Sequence, residues 1–259
     1  MKPIVLFLIT ALTAATSNAQ MDVPPNGGNI KAAVSEEVGI TSITINYSRP
    51  GVKGREGKIW GTLVPYGFNS PNFISQKANS PWRAGANEAT TISFEHDVKV
   101  EGKDLKADTY ALFMAIDPDS TLLIFSREKE AWGSFFYRPE DDVLRVKVKS
   151  TPLDKAVERL KYEFIDHQEK SCTVAMQWEK LSVPFKVEVD VDNIVLARVR
   201  EQMISGKGFV SGNLLHASWY FLPKNSNLEE VLGWAQRAVT GFPYGQSQFE
   251  NYRTLATAY

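Results

Sequence analysis

The segment Trp82-Arg83-Ala84-Gly85-Ala86-Asn87-Glu88 sets a fixed cation, an amide and a carboxylate within one short stretch. Arginine's planar fork can hold an anionic group through two parallel N–H donors, and a neighbouring glutamate could serve as acid or base. Arg49 and Arg55 supply two further cations upstream. The same residues admit a second reading, in which Arg83 and Glu88 pair with each other, or with Arg49 and Arg55, and fix a long loop. Both readings stand on the sequence, and loops held by a rigid sheet are where binding residues concentrate.

Aromatic residues gather around this segment: Tyr47, Trp60, Tyr66, Phe73 and Trp82, then Trp132 and Tyr137. Side by side and exposed, such rings would stack on the faces of a carbohydrate ligand, whereas most aromatics in strand-rich chains fill the core. Trp60, Tyr66 and Trp82 sit between β-type runs and are the ones expected to be exposed. Glycoside hydrolysis would need a second carboxyl group about 5–10 Å from Glu88, and Asp108, one hairpin away, is the candidate. The run from Gly51 to Lys58 carries Lys53, Arg55 and Lys58 among three glycines. It lacks the Gly-Lys-Ser/Thr ending of a phosphate loop, so it is expected to be a basic loop or a simple anion site.

Other chemistries find less support. His96, His167 and His216 are not paired at metal-ligand spacing, so no metal site is expected. There is no Gly-x-Ser-x-Gly elbow and no cofactor-binding motif. Asp117 with Asp119, and Asp141 with Asp142, are explained by turn formation as well as by calcium. Cys172 is the only cysteine, which forbids an intramolecular disulfide, and its strand-like surroundings read as a buried thiol.

The elements that position these residues follow from composition and periodicity. The chain has 259 residues and a formal charge of −1, with 43% hydrophobic and 23% charged residues. That mixture suits a globular protein with a sizeable core and excludes nucleic acid as the main partner. Thr41 to Ser48 alternates strictly, with Ile43, Ile45 and Tyr47 on one face. Further β-type runs are Thr90–Phe94, Val98–Val100, Tyr110–Ile116, Leu122–Phe125, Val143–Val148, Glu158–Phe164, Cys172–Trp178 and Val183–Val189. About nine short strands without intervening helical periods predict an antiparallel β-sandwich, jelly-roll-like or barrel-like, over residues 20–190.

After Asp190 the period changes. Leu196, Val199 and Met203 fall on one helical face, and Leu215, Trp219 and Leu222 suggest a second helix ended by Pro223. Leu228–Thr240 is the clearest helix, with Asn227 as its cap, Glu230 completing a capping box, and Gly241 and Pro243 closing it. Ser247 and Glu250 repeat the capping pattern before the stripe Phe249, Tyr252, Ala256 and Tyr259. That stripe must dock backwards, meet a partner, or continue into further chain. The paired helices of residues 191–259 resemble tetratricopeptide repeats, with Ala217-Ser218-Trp219-Tyr220 set against Ala256-Thr257-Ala258-Tyr259. A protein partner is expected to bind through them.

Lys2, the apolar run Ile4 to Ala15, and the small Ala19 describe a secretory signal peptide at residues 1–19, cleaved before Gln20. No later run is long enough to span a bilayer, so a soluble periplasmic or extracellular protein is expected.

Several unusual motifs recur in order: Asn46-Tyr47-Ser48-Arg49-Pro50-Gly51-Val52-Lys53-Gly54-Arg55, Val64-Pro65-Tyr66-Gly67, Trp82-Arg83-Ala84-Gly85-Ala86-Asn87-Glu88-Ala89-Thr90, Thr109-Tyr110-Ala111-Leu112-Phe113, Trp132-Gly133 and Val143-Leu144-Arg145-Val146. With them the chain resembles the secreted bacterial domain-of-unknown-function family numbered 2911, over about residues 30–180. It departs from that pattern by inserting Phe68 to Ser80 and by carrying Asp108 where the family usually has glycine. The resemblance implies fold and export and brings no chemistry. A non-catalytic module binding a ligand or partner in the cell envelope is the expected function, with an envelope hydrolase using Glu88 and Asp108 as the alternative.

Overall fold

A computed structural model describes residues 28–69, 79–240 and 249–259. The signal-peptide segment, Phe73, most of the Phe68–Ser80 insertion, Gly241, Pro243 and Ser247 lie outside the described residues.

Among the described residues ten strands form two antiparallel sheets that share one core. They are β1 (Ile30–Val38), β2 (Thr41–Arg49), β3 (Thr90–Phe94), β4 (Val98–Val100), β5 (Lys103–Leu105), β6 (Thr109–Ile116), β7 (Ser120–Ser126), β8 (Asp142–Lys149), β9 (Thr151–Gln168) and β10 (Ser171–Val189). One sheet runs β1-β2-β3-β6-β7-β8 and the other β5-β4-β10-β9. Ile43, Ile45 and Tyr47 of β2 face inward as their alternation predicts. Glu101 and Gly102 both take positive φ in the tight turn between β4 and β5, the backbone such two-residue hairpins require.

The two runs expected at Cys172–Trp178 and Val183–Val189 are halves of one strand, β10. Its members of the shared core are Cys172, Val174, Met176 and Trp178, then Val183, Phe185, Val187 and Val189, so the inward parity changes midway. Register shifts flank Glu179, which sits at φ 51°. A bulge inserts the extra residue that moves the following side chains to the other face, which keeps both halves packed on the core.

Strand β6 is buried on both faces. Leu112, Met114 and Ile116 point into the shared core. On the outer side Ala111 and Phe113 pack with Ile124, Ala89 and Tyr137. Tyr137 meets Phe113 edge-on with ring centres 5.5 Å apart, which fixes the loop after β7 over the outer face of the sheet.

Among the described residues four α-helices follow the sheets: α1 (Val191–Met203), α2 (Ser211–Phe221), α3 (Leu228–Thr240) and α4 (Phe249–Ala258). Leu196, Leu214, Leu215, Phe221, Val231, Trp234 and Ala238 form a core of their own. Glu230 does not complete a capping box at Asn227. Its carboxylate instead accepts from the Arg200 fork of α1, at 2.6 Å from Nη2. The expected stripe on α4 also turns outward, with Phe249 77% and Tyr259 83% exposed. The face that docks is polar: Asn251 donates to the Ala238 carbonyl, and Thr254 Oγ1 accepts from Trp219 Nε1 at 2.7 Å.

Asp192 ties this helical region to the β9–β10 hairpin. It receives Lys170 from the hairpin, Lys224 at 2.9 Å and the Tyr220 hydroxyl at 3.0 Å. The hydrogen bonds of Lys170 and Lys224 hold its carboxyl well below the usual 3.8, at about 2. A depressed carboxyl stabilises the fold above its unfolded pKa and loses that contribution as pH falls through the folded one. Asp192→Asn is therefore expected to cost about 1–2 kcal/mol at neutral pH. The melting-temperature difference from the parent should shrink as pH falls from about 4 towards 2. A difference that stays constant over that window would contradict the clamp.

Candidate functional site

The loop leading into β3 threads between the two sheets, and its backbone is pinned from both. Trp82 exchanges two 2.8 Å backbone hydrogen bonds with Met114 of β6. The Tyr162 hydroxyl of β9 donates to the Ala84 carbonyl at 2.8 Å, and Thr90 Oγ1 donates to the same oxygen at 3.1 Å. Trp82 Nε1 donates to the Gly85 carbonyl, and the Ala86 amide to the Ser48 carbonyl. These bonds hold Ala84 and Asn87 at φ 54° and 60°, in the left-handed region that side-chain-bearing residues seldom adopt.

Beside this loop lies a half-open cavity of about 420 Å³. Arg83, Asn87 and Trp82 line it together with Lys53 and Arg55 of the glycine-rich basic loop, and with Ser134, Phe135 and Trp178. Its described lining holds no aspartate, glutamate or histidine. Arg83 is half-buried, and loss of hydration pulls its pKa below the usual value. Its Nη1 donates to the Asn87 carbonyl at 2.6 Å, and its guanidinium lies 4.9 Å from the centre of the Phe135 ring. Gly133 stands against it on another side: a Cβ there would fall 2.3 Å from Arg83 Cζ. Among the described residues Arg83 forms no ion pair with a carboxylate.

Glu88 points elsewhere. It pairs with Lys31 of β1 at 2.6 Å and accepts from Ser48 Oγ at 3.2 Å, in a separate shallow groove with Ala33, Asn46 and Lys129. Burial raises its pKa, but the Lys31 hydrogen bond, helped by its own backbone and Ser48, outweighs this and leaves it below the usual value. Asp108 is held by the Thr109 amide and by Lys129 at 3.2 Å. The Phe94 amide donates to the Asp108 carbonyl, which puts Asp108 at the far end of β3 from Glu88. Along the chain that spacing is at most roughly 20 Å at ~3.3 Å per residue, and Lys129, which holds Asp108, also lines the groove of Glu88. Each carboxylate is paired with its own lysine, Glu88 with Lys31 and Asp108 with Lys129.

Of the remaining expected residues, Arg55 and Trp82 line the cavity, whereas Arg49 and Tyr66 do not. Arg49 Nε is turned to the Leu160 carbonyl of β9 at 2.8 Å. Arg55 donates to the carbonyls of Val52 and Gly51. Tyr66 is 38% exposed and packs over Gly61. Trp82 is buried rather than exposed and stacks on Trp178 with centres 6.0 Å apart, while Trp60 meets both edge-on at 5.7 and 5.6 Å. The three rings pack on one another, and of them Trp82 and Trp178 also line the cavity. Burial pushes the Cys172 thiol up to about 11, which makes it a poor nucleophile.

Gly133, Ser134, Phe135 and Trp178 were not legible as site residues. The only signal was the Trp132-Gly133 motif, and nothing in it points to Arg83. The contact gives a direct test. Gly133→Ala forces a Cβ into the Arg83 guanidinium at φ 67°, whereas Gly102→Ala meets open space at φ 75°. Both incur the left-handed penalty of about 1–2 kcal/mol, so Gly133→Ala should destabilise by at least about 1 kcal/mol more in chemical denaturation. Equal losses would contradict the clamp on Arg83.

The family model described as protein of unknown function (DUF2911) matches residues 30–187. No curated protein and no solved structure matches the chain. The matched span runs from the first residue of β1 nearly to the end of β10 and contains Arg55, Arg83, Phe135 and Trp178. The chain therefore belongs to the DUF2911 family.

Proposed function

We propose that the chain is an exported binding module, a β-sandwich that takes an anionic small molecule in the cavity beside Arg83. One observation carries this reading. A half-buried guanidinium, held in place by a backbone carbonyl, Phe135 and Gly133, opens on a cavity whose described lining holds Lys53 and Arg55 and no carboxylate. Taking a cation partly out of water is costly without a counter-charge. An anion seated in the cavity would supply it, and a fork fixed in advance loses little entropy on binding.

Binding is favoured over catalysis because the described lining offers no carboxylate, imidazole or thiol to act as acid, base or nucleophile. Glu88 is ionised in its pair with Lys31 and faces a different groove. In this reading the helices after Asp190, with α2 and α3 packed as a repeat-like hairpin, serve as a contact for a protein of the envelope.

The test is a thermal-shift and calorimetric screen of the mature chain with acetate, citrate, sulfate and phosphate. A ligand at a hundredfold excess over its Kd should raise the melting temperature by about 5–10 °C. Arg83→Gln should weaken binding by about tenfold or more, because its charge and its paired donors are both lost. If no anion stabilises the protein, or if Arg83→Gln binds as the parent does, this function is wrong.

A further inference from the structure

We infer that the group bound in this cavity is a dianionic oxyanion of the phosphate class, presented by an organic monoester; the inference rests on the anion-binding reading above. Two independent features point to it. Arg55 and Arg83 both line the cavity, and neither forms an ion pair with a carboxylate among the described residues. Arg55 is oriented by its bonds to the carbonyls of Val52 and Gly51 at 2.8 and 2.7 Å, and Arg83 by the Asn87 carbonyl. A guanidinium has five N–H donors, so each retains several for a ligand. A monocarboxylate would neutralise one of these two charges and leave the other uncompensated. A phosphate monoester brings up to two negative charges and three strong acceptor oxygens.

The second feature is an orphan donor. Trp178 lines the same cavity at 1% exposure, and among the described residues its Nε1–H, like that of the adjoining Trp60, has no hydrogen-bond partner. An indole N–H can only donate, and a buried donor left unpaired costs about 1–3 kcal/mol. The described lining carries the cationic donors of Arg55 and Arg83 and no carboxylate, which suits an acceptor-rich ligand. The cavity's volume of about 420 Å³ lies in the range of small-molecule sites. Pro50, Leu63, Val64 and Trp82 give the organic part of an ester an apolar wall.

Phenyl phosphate, inorganic phosphate, sulfate and benzoate, titrated calorimetrically at pH 5 and pH 8, separate the alternatives. The charged groups lining the cavity are Lys53, Arg55 and Arg83. Glu158 and Glu179 lie behind the basic loop, where they accept from the amides of Lys53 and Gly57. Phenyl phosphate should bind about tenfold more tightly than benzoate and gain about tenfold from pH 5 to pH 8, as its second proton leaves near pH 6. Sulfate, a dianion throughout, should change little. Arg55→Gln and Arg83→Gln should each weaken phenyl phosphate by about tenfold, with Arg55→Lys, which keeps the charge and loses the fork, giving a smaller loss.

If inorganic phosphate binds as tightly as phenyl phosphate, the free ion is the ligand and the ester assignment falls. Benzoate binding as well as phenyl phosphate would overturn the dianion inference while leaving an anion site in place. Binding by none of the four would remove the anion-binding reading itself.

Discussion

The structure depends on satisfying the buried backbone between Trp82 and Ala86. A non-regular segment can cross a protein interior only if its amides and carbonyls find partners there. Here the partners come from both sheets: Met114 of β6 on one side, Tyr162 of β9 on the other, with Ser48 of β2 at the edge. The Ala84 carbonyl accepts from both Tyr162 and Thr90, which anchors the loop where its backbone is left-handed. Two or three such bonds outweigh the strain of about 1–2 kcal/mol at each left-handed residue. The loop thereby becomes as rigid as the sheets it joins.

That rigidity separates neighbouring residues in space. Arg83 and Glu88 are five positions apart, yet one opens on the cavity beside Phe135 and the other on the groove beside Lys31. The tryptophans Trp60, Trp82 and Trp178 wedge against one another behind the cavity, so its floor is fixed by packing. The loop after β7 then closes on Arg83 from outside, because Tyr137 is held on Phe113 and the Ala89 amide bonds to the Ala131 carbonyl. The cation is thus placed by three separate parts of the chain.

How much of this could be read in the sequence follows from contrast. Strands β2, β3 and β4 stand out because Ile43, Ile45 and Tyr47, then Ile92 and Phe94, then Val98 and Val100 alternate with polar residues. β1 does not, and of β9 only Glu158–Phe164 does, since both are edge strands with many half-exposed positions and charged residues such as Glu36, Glu37, Asp154 and Lys155. β10 was divided in two because its bulge at Glu179 interrupts the alternation. On α4 the stripe stays exposed, because Asn251 and Thr254 make hydrogen bonds that dock the polar face instead. At the site, Trp82, Arg83 and Asn87 were legible as a cluster of types. Arg49, Tyr66 and Glu88 share the neighbourhood in sequence and not the cavity. Phe135 and Trp178 arrive from far along the chain, and only the sheet topology brings them to Arg83.

The most direct test of the account is the NMR signal of the arginine side-chain Nε–H groups as phenyl phosphate is added. The account predicts that Arg83 and Arg55 shift together and saturably, while Arg200, tied to Glu230 on the helices, stays in place. A uniform drift of all arginines, or an Arg83 signal that does not move, would contradict it.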